Sequence, residues 1–489
     1  METEAGNKGA AKDTKYFIHS AIGIVIMFGF GYLPPFAPVT PLGMKYIGIL
    51  LGLIYLWSLV EMLWPSMLGL VALVLTGAIT GAELTPKAFG TDMILIVILS
   101  LAIIFALTET GIFDYFTNWL LSRKTLQGHP WRLTVTILFG AYIIEAIGGG
   151  IAILFLLWEL IYKIVDQAHM PRKHIYCGLM IVALMMCNVL GLNLFPFKPS
   201  YLFVMGTFQK MTGMADVPML IALVMNFAIA VAIILFYLFF MRFVIRVDLS
   251  ALQNVSTEEF VQKLPPMNKK QKFSVIYLIL FIVMIIVPGT VGLFSQGPIS
   301  VMLQRLGTVG MCYLMFAILS FVKIDGERIL VFSKVVSKVQ WDAVALMAIA
   351  FTLSPMLTSE GTGVSEWMMQ IINPILGGQP ALVFMILVGV ISIILTNVAN
   401  NTVIMILMMT IIGVFQQSVP INVPVMGFMM IYMSQIAFLL PASSFYGAVI
   451  HSQAEIVGKK PIYIGAVLSI LVAILAMLCV IIPLGSLLL

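Results

Sequence analysis

The chain has 489 residues, of which 61% are hydrophobic and only 10% are charged, with a net charge of +5. A soluble globular protein carries about 25% charged residues, so this composition, with a mean hydropathy of +1.09, excludes a water-soluble enzyme and indicates an integral membrane protein. The modest positive charge does not indicate a nucleic-acid partner. Apolar runs of about 20 residues suit spanning helices, and no ladder of roughly 10-residue alternating strands is present.

The segment 1–42 begins polar and leads into a first span at 16–33. No small-residue cleavage site follows that span, so it reads as a retained helix rather than a signal peptide. Further spans are expected at 43–62, 65–82, 93–120, 174–211, 216–245, 272–290, 300–322, 341–358, 424–453 and 461–486. Two other apolar runs, 131–165 and 380–415, are each followed by a segment that must itself cross. Both read as re-entrant helical hairpins. The only long polar connection, 253–271, reads as a cytoplasmic linker between a first repeat at 43–252 and a second at 272–489. Within 328–339, Lys334 and Lys338 alternate with Ile329, Phe332, Val335 and Val336, which predicts an amphipathic helix on the inner surface.

With the N-terminus inside, 21 of the 26 Lys and Arg fall on the inner side. Lys45, Lys87, Lys210 and Arg305 fall outside, and Lys198 falls at membrane depth. The bias places the N-terminus in the cytoplasm and the C-terminus outside. It also requires both hairpins to be re-entrant, because a full crossing at either would reverse every later loop.

The halves echo each other at an offset of about 250 residues. Thr108-Glu109-Thr110-Gly111 matches Thr358-Ser359-Glu360-Gly361. The tip Ile144-Glu145-Ala146-Ile147-Gly148-Gly149-Gly150 matches Thr396-Asn397-Val398-Ala399-Asn400-Asn401-Thr402. Two interrupted spans follow, around Pro196-Phe197-Lys198-Pro199 and around Pro441-Ala442-Ser443-Ser444, each with a tyrosine five positions after its first proline. The charge map gives the two hairpins opposite mouths. Inverted repeats with paired broken helices are the architecture of secondary transporters, with the site at the repeat interface. The expected fold is therefore an all-α polytopic membrane protein with about eleven transmembrane helices and two re-entrant hairpins in two inverted repeats.

The amides and hydroxyls of Asn400, Asn401 and Thr402 lie where no water solvates them, so they read as lining a site. Lys198 reads in two ways: as a fixed positive charge for an anionic substrate, or as a structural ammonium that snorkels or pairs. Glu145 is either its partner and a proton carrier for coupling, or a satisfied structural carboxylate. The four cysteines and five histidines show no metal, redox or nucleophile spacing, so no catalytic role is assigned.

Pro34-Pro35-Phe36-Ala37-Pro38-Val39-Thr40-Pro41-Leu42-Gly43-Met44-Lys45, the span at 57–70 and the tip Asn400-Asn401-Thr402 together resemble the divalent anion:sodium symporter family of the ion transporter superfamily. The resemblance covers nearly the whole chain. It implies eleven spans with two hairpins, a homodimer, and a transport domain that moves as an elevator against a scaffold. The family's tips carry Ser-Asn-Thr motifs that bind sodium and substrate carboxylates. Asn400-Asn401-Thr402 keeps two of those three residues. Gly148-Gly149-Gly150 departs from the other motif and offers only backbone groups, which can still hold an anion at a helix start. The resemblance places a candidate sodium ion among Thr396, Asn397, Asn401, Thr402, Ala442, Ser443 and Ser444.

The expected function is secondary transport of small organic anions, di- or tricarboxylates, across the plasma membrane. Coupling to sodium, coupling to protons through Glu145, and anion exchange are all open. The alternative is a cation/proton antiporter of the same superfamily. The bilayer, the organic anion and a second copy of the chain are the expected partners.

Overall fold

The computed structural model describes residues 2–113, 115–116, 128–148, 151–254, 265–291, 295–416 and 418–489. The chain starts with α1 (Glu2–Gly29), α2 (Pro41–Leu59), α3 (Leu63–Leu75), α4 (Gly81–Phe89) and α5 (Asp92–Thr108). Then come α6 (Pro130–Ile147), α7 (Ile151–Gln167), α8 (Ile175–Leu192), α9 (Pro199–Thr212) and α10 (Met219–Phe239). The second half starts with α11 (Lys269–Thr290) and α12 (Pro298–Phe321), joined by the short strands β1 (Lys323–Ile324) and β2 (Glu327–Arg328) to α13 (Phe332–Val336). It continues with α14 (Trp341–Leu357), α15 (Val364–Leu376), α16 (Ala381–Thr396), α17 (Asn401–Phe415) and α18 (Val423–Met433). The last helices are α19 (Phe445–His451), α20 (Ala454–Val457), α21 (Lys459–Ala476) and α22 (Ile482–Leu488).

This is an all-α polytopic membrane protein. Among the described residues, eight helices are long and apolar enough to cross a membrane, or nine if α4 and α5, bent by 53° at their junction, form one span. The count is below the expected eleven for local reasons. α3 has only 13 residues and α14 only 17. The runs at 174–211 and 424–453 are each divided into two helices, at 193–198 and 434–444. Proline cannot donate the helical hydrogen bond and clashes with the preceding turn, which accounts for the breaks around Pro196 and Pro441. In the run 93–120, α5 stops at Thr108 and Gly111 turns the chain with φ 73°; residues 114 and 117–120 of that run lie outside the described residues. At 328–339 only the five residues of α13 are helical; Val335 is buried and Phe332 is exposed.

The core is organised around α8 and α18. Every residue from Tyr176 to Gly191 is buried, as is every residue of α18 except Pro424. α6 and α7 wrap α8. The Thr134 hydroxyl lies 3.1 Å from the Tyr176 hydroxyl near the starts of α6 and α8, and Gly191 faces Tyr142, Glu145 and Ala146 near their ends, so the two helices run parallel. The chain then returns along α7, where Trp158 Nε1 donates to the Ile181 carbonyl at 3.1 Å. α16 and α17 wrap α18 in the same manner. The Phe384 and Phe415 rings meet at 5.5 Å at their far ends, while Thr396 and Asn401 meet at 3.1 Å at the turn. Each pair is a helical hairpin leaning on a buried helix.

α1 and α2 approach closely because Gly52 has no side chain: a Cβ there would sit 2.7 Å from the Met27 Cα. Small residues that let backbones approach are the usual means of helix association in lipid. α1 and α12 are the least buried of the spanning helices, and they present apolar residues such as Phe17, Val25, Ile299 and Met302 outward.

Candidate functional site

The second hairpin tip is fixed by its own polar side chains. Asn400 is the N-cap of α17, and its Oδ1 accepts from Thr402 N at 2.9 Å and from Val403 N at 3.5 Å. Such a cap satisfies backbone donors that the first helical turn leaves free. Asn397 is consumed as a clamp on the second break. Its Nδ2 donates to the carbonyls of Ile393 (2.7 Å) and Ile436 (2.9 Å), and its Oδ1 accepts from Leu439 N at 2.9 Å.

Thr396 Oγ1 lies 3.1 Å from Asn401 Oδ1 and 2.6 Å from the Ser434 carbonyl. A threonine hydroxyl has one proton, so it satisfies only one of these acceptors at a time. Three oxygens thus gather at one point with one proton among them, a donor set that suits a hard cation. The other members of the expected sodium set sit differently. The Ser443 hydroxyl lies 2.7 Å from the Leu440 carbonyl and 3.1 Å from the Ala437 carbonyl and donates to one of them at a time. Ser444 donates to the Ala437 carbonyl at 2.7 Å and caps α19 by accepting from Gly447 N at 2.9 Å. Ala442 is exposed and lies off the cavity described next.

A cavity of ≈ 380 Å³ opens at this tip. Its polar walls come from Asn400, Asn401 and Thr402 on α17, Ser200 on α9, and Ser434 and Gln435 at the second break. The volume lies in the range of small-molecule sites, about 300–1,000 Å³. The N-terminal ends of α9 and α17 both meet it. Helix N-termini carry a positive dipole end that favours anions, although at α17 Asn400 already accepts from the Thr402 and Val403 amides. A larger cavity of ≈ 660 Å³ lies between the starts of α5 and α10 and the ends of α9 and α11, with Asp92, Lys210 and Asp216 on its walls. None of the tip residues reaches it, so the smaller cavity is the better candidate.

Lys198 occupies the N-cap of α9 and is 6% exposed. Burying an ammonium costs on the order of 3 kcal/mol at a helix centre on insertion scales, and a cation at a helix N-terminus opposes the helix dipole. The ion pairs among the described residues are Arg172–Asp166, Lys269–Asp325 and Lys270–Glu327, so the direct pair expected between Lys198 and Glu145 is not formed. Glu145 is 1% exposed and faces Asn188 and Lys198. It packs against Gly191, where a Cβ would sit 2.7 Å from its own. Neither Lys198 nor Glu145 is on the cavity wall. Tyr446 lines the cavity. Gly148 packs on the Phe113 ring and is also off the cavity. Gly149 and Gly150 lie outside the described residues.

Reading the sequence did not single out Gln435, Ser200 or Asn226. Gln435 lines the cavity and accepts from Asn193 Nδ2 at 3.1 Å. Asn226 donates to the Leu194 carbonyl at 3.3 Å and accepts from the Tyr432 hydroxyl at 3.1 Å. The available signal was the one that marked the tip: an amide inside an apolar run.

The family profile of citrate transporters (CitMHS) matches residues 49–433. The chain belongs to the citrate transporter family. The match runs from α2 to the end of α18 and so takes in both hairpins, the first break and the Asn400–Thr402 tip. Citrate transporters and the divalent anion:sodium symporters belong to the same ion transporter superfamily. The family is one of carboxylate transporters rather than enzymes, and its multi-pass membrane character agrees with the helices described. No curated protein matches the chain as a relative.

Proposed function

We propose that this citrate transporter family member moves small di- or tricarboxylates across the plasma membrane as a secondary active transporter. The carrying observation is the ≈ 380 Å³ cavity where the starts of α9 and α17 meet beside Asn400, Asn401 and Thr402. A multiply charged anion suits such a place: two helix N-termini supply positive potential, amides and hydroxyls supply hydrogen bonds, and Lys198 stands one residue before the cavity wall.

The hairpins and broken helices form the moving body of an elevator in this reading, with two inverted repeats, a homodimeric scaffold and the N-terminus in the cytoplasm. The sequence echoes and the inner-side excess of Lys and Arg support it. Alternating access needs a ligand that binds the two states differently. Two groups are suited to coupling. The oxygens of Thr396, Asn401 and Ser434 suit a sodium ion carried as cargo. Glu145, buried beside Asn188 and Lys198, suits a proton. Lys198 itself favours exchange of one anion for another if neither ion is used.

The test is the unfolding temperature of purified protein with citrate, other di- and tricarboxylates and a monocarboxylate, each in sodium and in choline. Stabilisation by tricarboxylate supports the reading. A requirement for sodium assigns the tip oxygens to coupling; indifference to sodium turns attention to Glu145 and to exchange. No stabilisation by any carboxylate overturns the proposal and favours a cation/proton antiporter.

A further inference from the structure

The turn after α12 carries charges that lie off the ≈ 380 Å³ cavity. Phe321, its last residue, is 87% exposed, and the chain then makes a tight two-stranded turn. Asp325 and Gly326 both have positive φ, 52° and 84°. The register sets Lys323 directly across from Arg328. Directly opposed residues in an antiparallel pair share a face, and like charges placed there repel. The turn's two acids do not relieve them: Asp325 is bound by Lys269 at 3.2 Å and Glu327 by Lys270. That bond with Lys270 holds the Glu327 carboxyl below the usual carboxylate range. Lys323 and Arg328 are exposed and form no ion pair among the described residues.

A third cation adjoins them. Lys334 and Arg328 line one cleft of ≈ 150 Å³, together with Lys270, Glu327 and Glu109. Glu109, also exposed, is the one carboxylate there without an ion-pair partner among the described residues, and Lys323, Arg328 and Lys334 outnumber it. Apolar surface runs directly from this cleft. Phe332 is 66% exposed, and its ring meets Phe316 of α12 edge-on at 6.4 Å. It thereby extends the outward apolar face of a spanning helix to the level of the cations.

We propose that Lys323, Arg328 and Lys334 dock the phosphate of an anionic phospholipid whose acyl chain lies along Phe321, Phe316 and Phe332. Charge complementarity and continuity with a membrane-spanning helix select a bilayer lipid over a protein partner. Juxtamembrane Lys and Arg clusters are attracted to anionic leaflets, and the bound phosphate relieves the repulsion across the turn. This site is independent of the substrate cavity.

The experiment places the purified protein in phosphatidylcholine nanodiscs with and without phosphatidylglycerol and reads its unfolding temperature. The wild type is expected to unfold at a higher temperature with phosphatidylglycerol. The Lys323→Gln/Arg328→Gln variant is expected to lose more than half of that shift, and Lys323→Arg/Arg328→Lys to keep it. Water-soluble glycerol phosphate added to phosphatidylcholine nanodiscs is expected to do nothing. An absent wild-type shift, a full shift in the Gln variant, or reproduction by glycerol phosphate overturns the proposal. Should the double variant not be purified, retention of phosphatidylglycerol by Lys334→Gln in native mass spectrometry decides. Fewer lipid adducts than wild type supports the site, and equal adducts refutes it.

Discussion

Asn193 and Gln435, 242 positions apart in sequence, join the two helix breaks through one buried hydrogen bond of 3.1 Å. Asn193 starts the interruption between α8 and α9, and Gln435 lies in the interruption after α18. The bond therefore ties the two halves at the cavity wall. Leaving one buried partner unsatisfied costs about 1–3 kcal/mol. Asn193→Leu and Gln435→Leu are each expected to lower the unfolding temperature and to weaken citrate binding. The double variant should lose less than the sum, as residues in contact do. A thermal double-mutant cycle measures the coupling, and strict additivity would show that the bond links nothing.

Asn400→Asp separates capping from anion recognition. Asp caps a helix about as well as Asn, so ligand-free stability should stay within about 1 kcal/mol of wild type. The new negative charge at the cavity wall should abolish stabilisation by citrate. Retained citrate stabilisation in this variant would move the substrate away from the α17 tip.

Lys198→Gln removes the buried positive charge at the start of α9. Lys198 stands behind the cavity wall and acts through its potential rather than through a hydrogen bond, so carboxylate affinity should fall by about tenfold, measured by calorimetric titration. Ligand-free stability should hold or rise, since the ammonium opposes the helix dipole. Unchanged affinity together with lower stability would assign Lys198 a structural role.

Thr396→Val deletes one of the three clustered oxygens while keeping the shape. Any dependence of carboxylate affinity on sodium should disappear, with affinity in choline unchanged. An equal loss of affinity in both salts would mean that Thr396 serves only to hold the tip to Ser434.

Gly191→Ala tests the packing of the first hairpin. The added methyl meets the Ala146 N and Tyr142 O backbone atoms at 2.8 Å, and neither can rotate away. Overpacking of this kind costs about 1–3 kcal/mol. The unfolding temperature should drop, and Glu145 should be displaced from α8. If proton gradients drive uptake by the wild type, Glu145→Gln should abolish that drive while leaving counterflow exchange, as read in proteoliposomes.

The helical character, the membrane setting and the polar tip at Asn400-Asn401-Thr402 were determined by sequence, because each rests on local chemistry. Apolar runs must span, and amides placed among them must be satisfied. Prolines 196, 199 and 441 marked the helix breaks for the same reason. The lengths of α3 and α14, 13 and 17 residues, were not legible, because the length of an apolar run does not reveal where tertiary contacts let a helix stop. What each polar side chain does at the site was decided only by tertiary structure. Asn397 and Ser443 have the composition of ligands, yet their atoms are spent on backbone groups of the second break and of α16. Gln435 and Ser200 reach the cavity wall, while Glu145 and Lys198 stand behind it without pairing. A hydrogen bond between residues hundreds of positions apart leaves no trace in spacing, so neither the Asn193–Gln435 link nor the convergence of two helix starts on one cavity was legible before the chain was folded.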